Sequence, residues 1–297
     1  MNETAGTTGT YLRLAAVPVI WGGTFIAGRA LALAVPATVG ALLRFLVASV
    51  VLLAAALLLE GGLPRLDRRQ LAATIALGAT GVLAYNLFFL GALARLPASR
   101  TSLIVALNPV VTIVVSAWLF DERLARLRWF GIFLALAGVW VVVSRGDPLG
   151  SIAGAVGPGE LMMFGGVCAW AAFTLIGRSV LGGLTPLAAT AYASLFGTAM
   201  LAIAAAPELR HLDPASVSSP QVVLSALYLG LLGTGVAFVW YCRAVQRLGP
   251  ARTVIFNNLV PVFGAAFGVL LLDEPLLPSI LVGGAMAVTG VMIVSRG

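Results

Sequence analysis

The sequence predicts an all-α integral membrane protein in which ten transmembrane helices form two inverted five-helix repeats. Three observations carry that expectation. Of the 297 residues, 60% are hydrophobic and only 10% are charged, and the mean hydropathy is +1.05, well outside the range of soluble globular domains. Apolar runs of roughly 20 residues, the length that crosses a bilayer's hydrocarbon core, recur between clusters of turn and charged residues. The second half of the chain also copies the first. Arg95, Leu96, Asp121 and Glu122 return as Arg247, Leu248, Asp273 and Glu274, each displaced by 152 positions. Gly78, Gly81, Arg100, Thr101, Pro109 and Gly138 return at the same displacement as Gly230, Gly233, Arg252, Thr253, Pro261 and Gly290.

In order, the spans are expected at Tyr11 to Leu33, Ala37 to Leu59, Leu71 to Leu93, Ser99 to Phe120, Leu127 to Ser144, Pro158 to Leu181, Thr185 to Ala206, Gln221 to Arg247, Pro250 to Leu272 and Leu276 to Val294. The first is too long for a cleaved signal segment and reads as a retained span. The fifth is the shortest, and the count of ten depends on it. Five spans per copy is an odd number, so the second copy enters the membrane from the opposite side, and the repeats, 1–148 and 149–297, are inverted. Trp21 to Arg29 (WGGTFIAGR) matches Trp170 to Arg178 (WAAFTLIGR) at a displacement of 149. Three residues are therefore inserted later in the second copy, and the long loop from Pro207 to Pro220 is where they are expected.

All 18 basic residues are arginine. Without lysine there is no phosphate-cradling P-loop and no Schiff base. The basic balance reads as the loop charge of a multi-pass protein, not as a nucleic-acid surface. Positively charged loops stay in the cytoplasm. With the amino terminus inside, Arg13, Arg65, Arg68, Arg69, Arg123, Arg126, Arg128, Arg178, Arg243, Arg247, Arg252 and Arg296 lie on the cytoplasmic side, and Arg29, Arg44, Arg95, Arg100, Arg145 and Arg210 lie outside. Both termini are therefore expected in the cytoplasm. Cys168 and Cys242 sit in apolar segments and make no disulfide framework. The one histidine, His211, lies in a polar loop, so no metal site or buried histidine relay is expected.

Gly131 and Gly138 of the fifth span, repeated as Gly283 and Gly290 in the tenth, lie on one helical face and permit close backbone approach in lipid. Gly264 and Gly268 form a G-x-x-x-G with the same use. Contact within the chain is the favoured reading and a homodimer seam the other. The third span carries Gly78, Gly81, Tyr85, Phe88, Phe89 and Ala92 along one face. The eighth carries Gly230, Gly233, Ala237, Trp240, Tyr241 and Ala244. Such stripes serve as core or as a cavity wall. Trp21 and Trp170 occupy equivalent positions, and at membrane depth their indole N–H groups need partners. Asn108, Asn257 and Asn258 are amides inside spans, suited to an interhelical clasp or to substrate contact. They are not equivalent between the copies, so a pocket built from them is chemically asymmetric. Pro109 and Pro261 each remove a helical hydrogen bond near mid-span and suit paired hinges.

Arg29, Arg44 and Arg178 are expected to snorkel to headgroups, with an anion-binding role left open. Asp121, Glu122, Asp273 and Glu274 read as solvated helix ends. No span has an acid near its middle, and Glu160, at the start of the sixth, is the nearest. A buried carboxylate that carries a proton is therefore not expected, and no catalytic or metal constellation lies in the bilayer.

The W-G-G-T-F of Trp21 to Phe25, the L-N-P of Leu107 to Pro109, the F-D-E and L-D-E that close the fourth and ninth spans, and the duplicated five-span plan together resemble the EamA-type branch of the drug/metabolite transporter superfamily over essentially the whole chain. Within it the chain most resembles bacterial amino-acid exporters of the YddG type. The resemblance implies a basket-like bundle around a central cavity lined by the first, third, fourth, sixth, eighth and ninth spans. Trp21, Tyr85, Asn108, Trp170, Tyr241, Asn257 and Asn258 then become substrate-binding candidates and Pro109 and Pro261 hinges, with no cofactor and no metal. It also implies an inner-membrane carrier of amino acids and related metabolites, whose partners are its small-molecule cargo and the lipid bilayer. Export of hydrophobic drugs or nucleotide-linked metabolites, a lipid-modifying membrane enzyme, and a channel are the alternatives. The sequence leaves the oligomeric state open, and a monomer is compatible with it.

Overall fold

A computed structural model of the chain describes residues 2–147, 156–180 and 183–296. Ten helical segments cross the bundle: α1 (Asn2–Ala34), α2 (Ala37–Glu60), α3 (Arg68–Leu93), α4 (Ala98–Leu119), α5 (Arg126–Val143), α6 (Pro158–Val180), α7 (Pro186–Leu209), α8 (Pro220–Leu248), α9 (Pro250–Asn257 continued by Val260–Leu271) and α10 (Pro278–Arg296). Among the described residues, nine of these are long and apolar enough to span a membrane, and α9 contributes the shorter apolar stretch Ile255–Leu271. The expected order of spans is recovered. α1 begins earlier than its apolar run, and α7 continues through Pro207 before a single turn, Pro214–Val217, leads to α8. The division between the repeats at 148 and 149, and the end of the sixth span at Leu181, lie outside the described residues.

Large apolar side chains cover the outside. Leu58 is 83% exposed and Trp118 is 80% exposed, a costly arrangement in water and the expected one against lipid. Inside, one apolar cluster runs through most of the helices, from Phe25 and Leu31 on α1 to Val291 and Val294 on α10.

The main helix contacts join one repeat to the other. α5 packs on α10, α2 on α7 and α4 on α9. The contact of α1 with α8 has its counterpart in α6 with α3, α1 with α9 in α6 with α4, and α2 with α8 in α7 with α3. Exchanging each helix for the one five places later leaves this pattern unchanged, which is the mark of a pseudo-two-fold. Five crossings separate equivalent helices, so they run in opposite senses, and the axis lies in the membrane plane. Ten crossings bring both chain ends to one face of the bundle, here the terminal face. The described loops α1–α2, α3–α4, α7–α8 and α9–α10 lie on the opposite face.

The tightest seam is α5 on α10. Gly131 faces Gly290, and Gly138 faces Gly283, in antiparallel register. A Cβ on Gly138 would overlap the backbone of Gly283 and Ala287, and one on Gly290 would overlap that of Gly131 and Ala135. Gly264 and Gly268 likewise face Ser102 and Ser99 of α4. Both small-residue faces are thus used within the chain. The equivalent residues Asp121 and Asp273 end α4 and α9 in the same left-handed conformation, φ 53° and 52°, which aspartate tolerates better than most side chains.

Overpacking a close helix seam costs about 1–3 kcal/mol or more. Gly138→Val is therefore expected to lower the melting temperature of the detergent-purified protein markedly. Gly9→Val, at a position where a Cβ meets nothing within 4 Å, should leave it unchanged.

Candidate functional site

The interior of the bundle is built from irregular backbone. α4 is interrupted at Ala106 and Leu107, and α9 at the equivalent Asn258 and Leu259. Pro109 and Pro261 have no N–H to give back to the preceding turn. The chain tightens instead, with Leu107 N–H donating to the Ile104 carbonyl (3.0 Å) and Leu259 N–H to Phe256 (3.0 Å). The prolines thus break their helices at equivalent places, as expected. At the α4–α9 crossing the Ser102 hydroxyl donates to the Pro261 carbonyl at 3.2 Å.

A second irregularity was not expected from sequence. α3 is π-helical over Gly78–Ala84 and α8 over Tyr228–Val236, again at equivalent positions. π segments leave carbonyls without regular partners and frequently mark functional sites. Here the Asn86 amide donates to the Gly81 (3.3 Å) and Val82 (2.8 Å) carbonyls, and the Thr234 hydroxyl to Leu229 (3.0 Å).

The four aromatic candidates meet as two pairs. The Trp21 and Tyr241 rings lie 5.4 Å apart between α1 and α8, and Tyr85 and Trp170 lie 5.1 Å apart between α3 and α6. The Trp21 indole donates to the Gly233 carbonyl in the π segment at 2.8 Å. Tyr85 stacks on Phe89 (5.7 Å), which meets Phe25 edge-on (5.4 Å). The amides sit at the helix breaks and make none of these ring contacts. Asn108 begins the second half of α4, and its Oδ1 is buried without a hydrogen-bond partner. Asn258 is buried at the α9 break, and Asn257 is half-buried beside it.

Arg44 departs from expectation. It does not snorkel. Its backbone abuts Gly230 on α8, so its side chain turns into the bundle and not toward lipid. The guanidinium donates to Asn86 Oδ1 (2.8 Å) and Thr234 Oγ1 (3.1 Å) and stands over the Phe45 ring. It thereby ties the two π segments together. Sequence reading left an anion-binding role open for Arg44 and did not single out its interior partners Asn86 and Thr234. The available signal was a charge deep within an apolar run.

The two faces close differently. On the opposite face Arg29 also turns inward, donating to the Leu93 and Leu96 carbonyls 4.0 Å from Glu274. Glu274 is not a solvated helix end. Its carboxylate accepts from the Ala98 (2.6 Å) and Ser99 (2.9 Å) N–H groups, where the free N–H groups and dipole of α4 favour an anion. Beside it, Arg100 and Glu160 form a buried pair at 2.8 Å. On the terminal face the equivalent Arg178 pairs with Glu122 at 2.9 Å and donates to Ser116 at 2.7 Å. The Arg178 and Glu122 side chains are 56% and 43% exposed, against 26% and 8% for Arg29 and Glu274. The opposite face is therefore the more tightly closed.

Opposed repeats with broken helices at their crossing and a polar, aromatic interior define a multi-pass membrane protein of the transporter class. The EamA-like transporter family matches the chain twice, over residues 9–144 and 157–296, and the chain belongs to that family. It is 27% identical over 255 residues to the uncharacterized transporter YyaM of Bacillus subtilis (85% of this chain, 82% of YyaM). It is 31% identical over 254 residues to a probable terminal-alkyne amino-acid exporter of Streptantibioticus cattleyicolor (85% and 82%). A solved crystal structure, 22% identical, matches 96% of each chain with a TM-score of 0.65, a likeness of fold alone.

The buried cap and the exposed pair should differ in energy. Glu274→Ala is expected to destabilise the protein by about 1–2 kcal/mol, the usual value of a helix N-cap. Glu122→Ala should cost no more than about 1 kcal/mol, as for an exposed ion pair. Thermal unfolding of the two variants side by side checks the order.

Proposed function

We propose that the protein exports amino acids and closely related small metabolites across the bacterial inner membrane by alternating access, with both termini in the cytoplasm. The observation that carries this reading is the pair of aromatic contacts, Trp21 with Tyr241 and Tyr85 with Trp170, set against irregular backbone in the bundle interior. Such surroundings offer apolar walls with a few polar groups. The unpartnered Asn108 Oδ1 is a ready acceptor for a donor on the cargo. The similarity to a protein named as an amino-acid exporter supports the same class of cargo.

In this reading the repeats, 1–148 and 149–297, rock about the α4–α9 crossing, with Pro109 and Pro261 as hinges. The Arg29–Glu274 contact holds one face shut, and closing the other tightens Arg178 on Glu122. No acid stands near the middle of a span, so transport is facilitative, down the cargo's gradient. The chain acts as a carrier and not as an enzyme.

Proteoliposomes loaded with the common amino acids test this. Efflux is expected without an imposed proton gradient, and it should fall about tenfold or more in Trp21→Ala, Asn108→Ala or Asn258→Ala protein that remains folded. Unchanged flux in all three would move the site elsewhere. Efflux of hydrophobic cations or nucleotide sugars with none of amino acids would favour the other cargoes.

A further inference from the structure

We infer that Arg44 is the anchor for a carboxylate on the cargo, held between the two aromatic pairs; this rests on the reading of the protein as an amino-acid carrier. Arg44 is the eighth residue of α2, roughly 10 Å along the helix axis from its start, and its guanidinium faces the bundle interior. Its partners, Asn86 and Thr234, are both neutral. Among the described residues no carboxylate lies within 4.0 Å of it, whereas Arg29, Arg100 and Arg178 each have one within that distance. Its Nε is buried with no hydrogen-bond partner. A charge removed from water is costly unless it is paired, and an ionised group retained inside a membrane span marks a ligand or ion pathway more often than a structural tie.

Placement supplies the rest. Thr234 follows Gly233, whose carbonyl receives the Trp21 indole, and Asn86 follows Tyr85, whose ring meets Trp170. One cation is thus bonded to a residue that adjoins each ring pair in the chain. A ligand that fits carries a carboxylate at one end and an apolar or aromatic group at the other. Guanidinium and carboxylate match in planar, charge-assisted hydrogen bonds. The repeat offers no second anchor: the displacement that pairs Arg29 with Arg178 places Ala193 opposite Arg44. The cargo is therefore gripped in one polarity, by the half of the site that α2 contributes. Because Arg44 also bridges the two π segments, arrival of the carboxylate would be felt directly by α3 and α8.

The test compares phenylalanine with phenethylamine, which lacks only the carboxylate, as competitors of amino-acid efflux from proteoliposomes. In the wild type, phenylalanine should compete at least tenfold better. In binding of each ligand to the detergent-purified protein, Arg44→Gln should abolish that preference by weakening phenylalanine while phenethylamine stays within about twofold, and Arg44→Lys should restore part of it. A purely structural role would weaken both ligands equally. If Arg44→Gln does not fold, the wild-type preference and the Arg44→Lys variant still decide the matter. Equal competition by the two ligands in the wild type overturns the anchor, as does an undiminished phenylalanine preference in folded Arg44→Gln. Wild-type protein that moves no amino acid at all overturns the cargo reading instead.

Discussion

A backbone immersed in lipid has no water to satisfy its polar groups, so every irregular turn must be hidden from the hydrocarbon or compensated by other groups. The rest of this structure follows from that constraint. The four irregular stretches, at Ala106–Leu107, Asn258–Leu259 and the two π segments, fall at equivalent places in the two repeats, on α3, α4, α8 and α9. Carbonyls of the π segments are taken up by Trp21, Asn86 and Thr234, and Ser102 ties α4 to the Pro261 carbonyl just past the α9 break. The same groups that make the irregular backbone tolerable also make the interior polar. A straight ten-helix bundle would have neither the breaks nor the chemistry.

The inverted arrangement converts a single sequence duplication into two faces with related parts and different states. Arg29 with Glu274 and Arg178 with Glu122 are the same pair of positions viewed from opposite sides of the membrane, yet one is closed around a helix N-terminus and the other is largely exposed. In the proposed cycle these equivalent contacts trade tightness. The α5–α10 glycine seam allows no Cβ at its contacts, and in the proposed cycle it is the fixed spine against which the other helices shift.

Features set by periodicity and local chemistry were legible in the sequence. The spans, their order, the duplication, the prolines that break α4 and α9, and the glycine faces of α5 and α10 all follow from residue type and spacing. The aromatic candidates meet in two pairs that the repeat did not dictate: Trp21 and Trp170 are equivalent, but Tyr85 aligns with Ala237 and Tyr241 with Phe89. What stayed hidden depends on partners far away in the chain. Glu274 looked like a helix-end acid, since nothing nearby reveals that it caps an α4 residue 176 positions earlier. Arg44 looked like a snorkelling side chain until α8 was placed against its face of α2. Gly78, Gly81, Gly230 and Gly233 read as packing residues, and glycine composition does not distinguish close approach from a π segment.

The whole arrangement requires that the two halves traverse the membrane in opposite senses. Single cysteines placed in the equivalent loops after α2 and α7, Gly62→Cys and His211→Cys in a background with Cys168 and Cys242 replaced by serine, test it directly with an impermeant thiol reagent on sealed vesicles of known orientation. The account predicts that the two positions are labelled from opposite sides of the membrane. Labelling of both from the same side would contradict it.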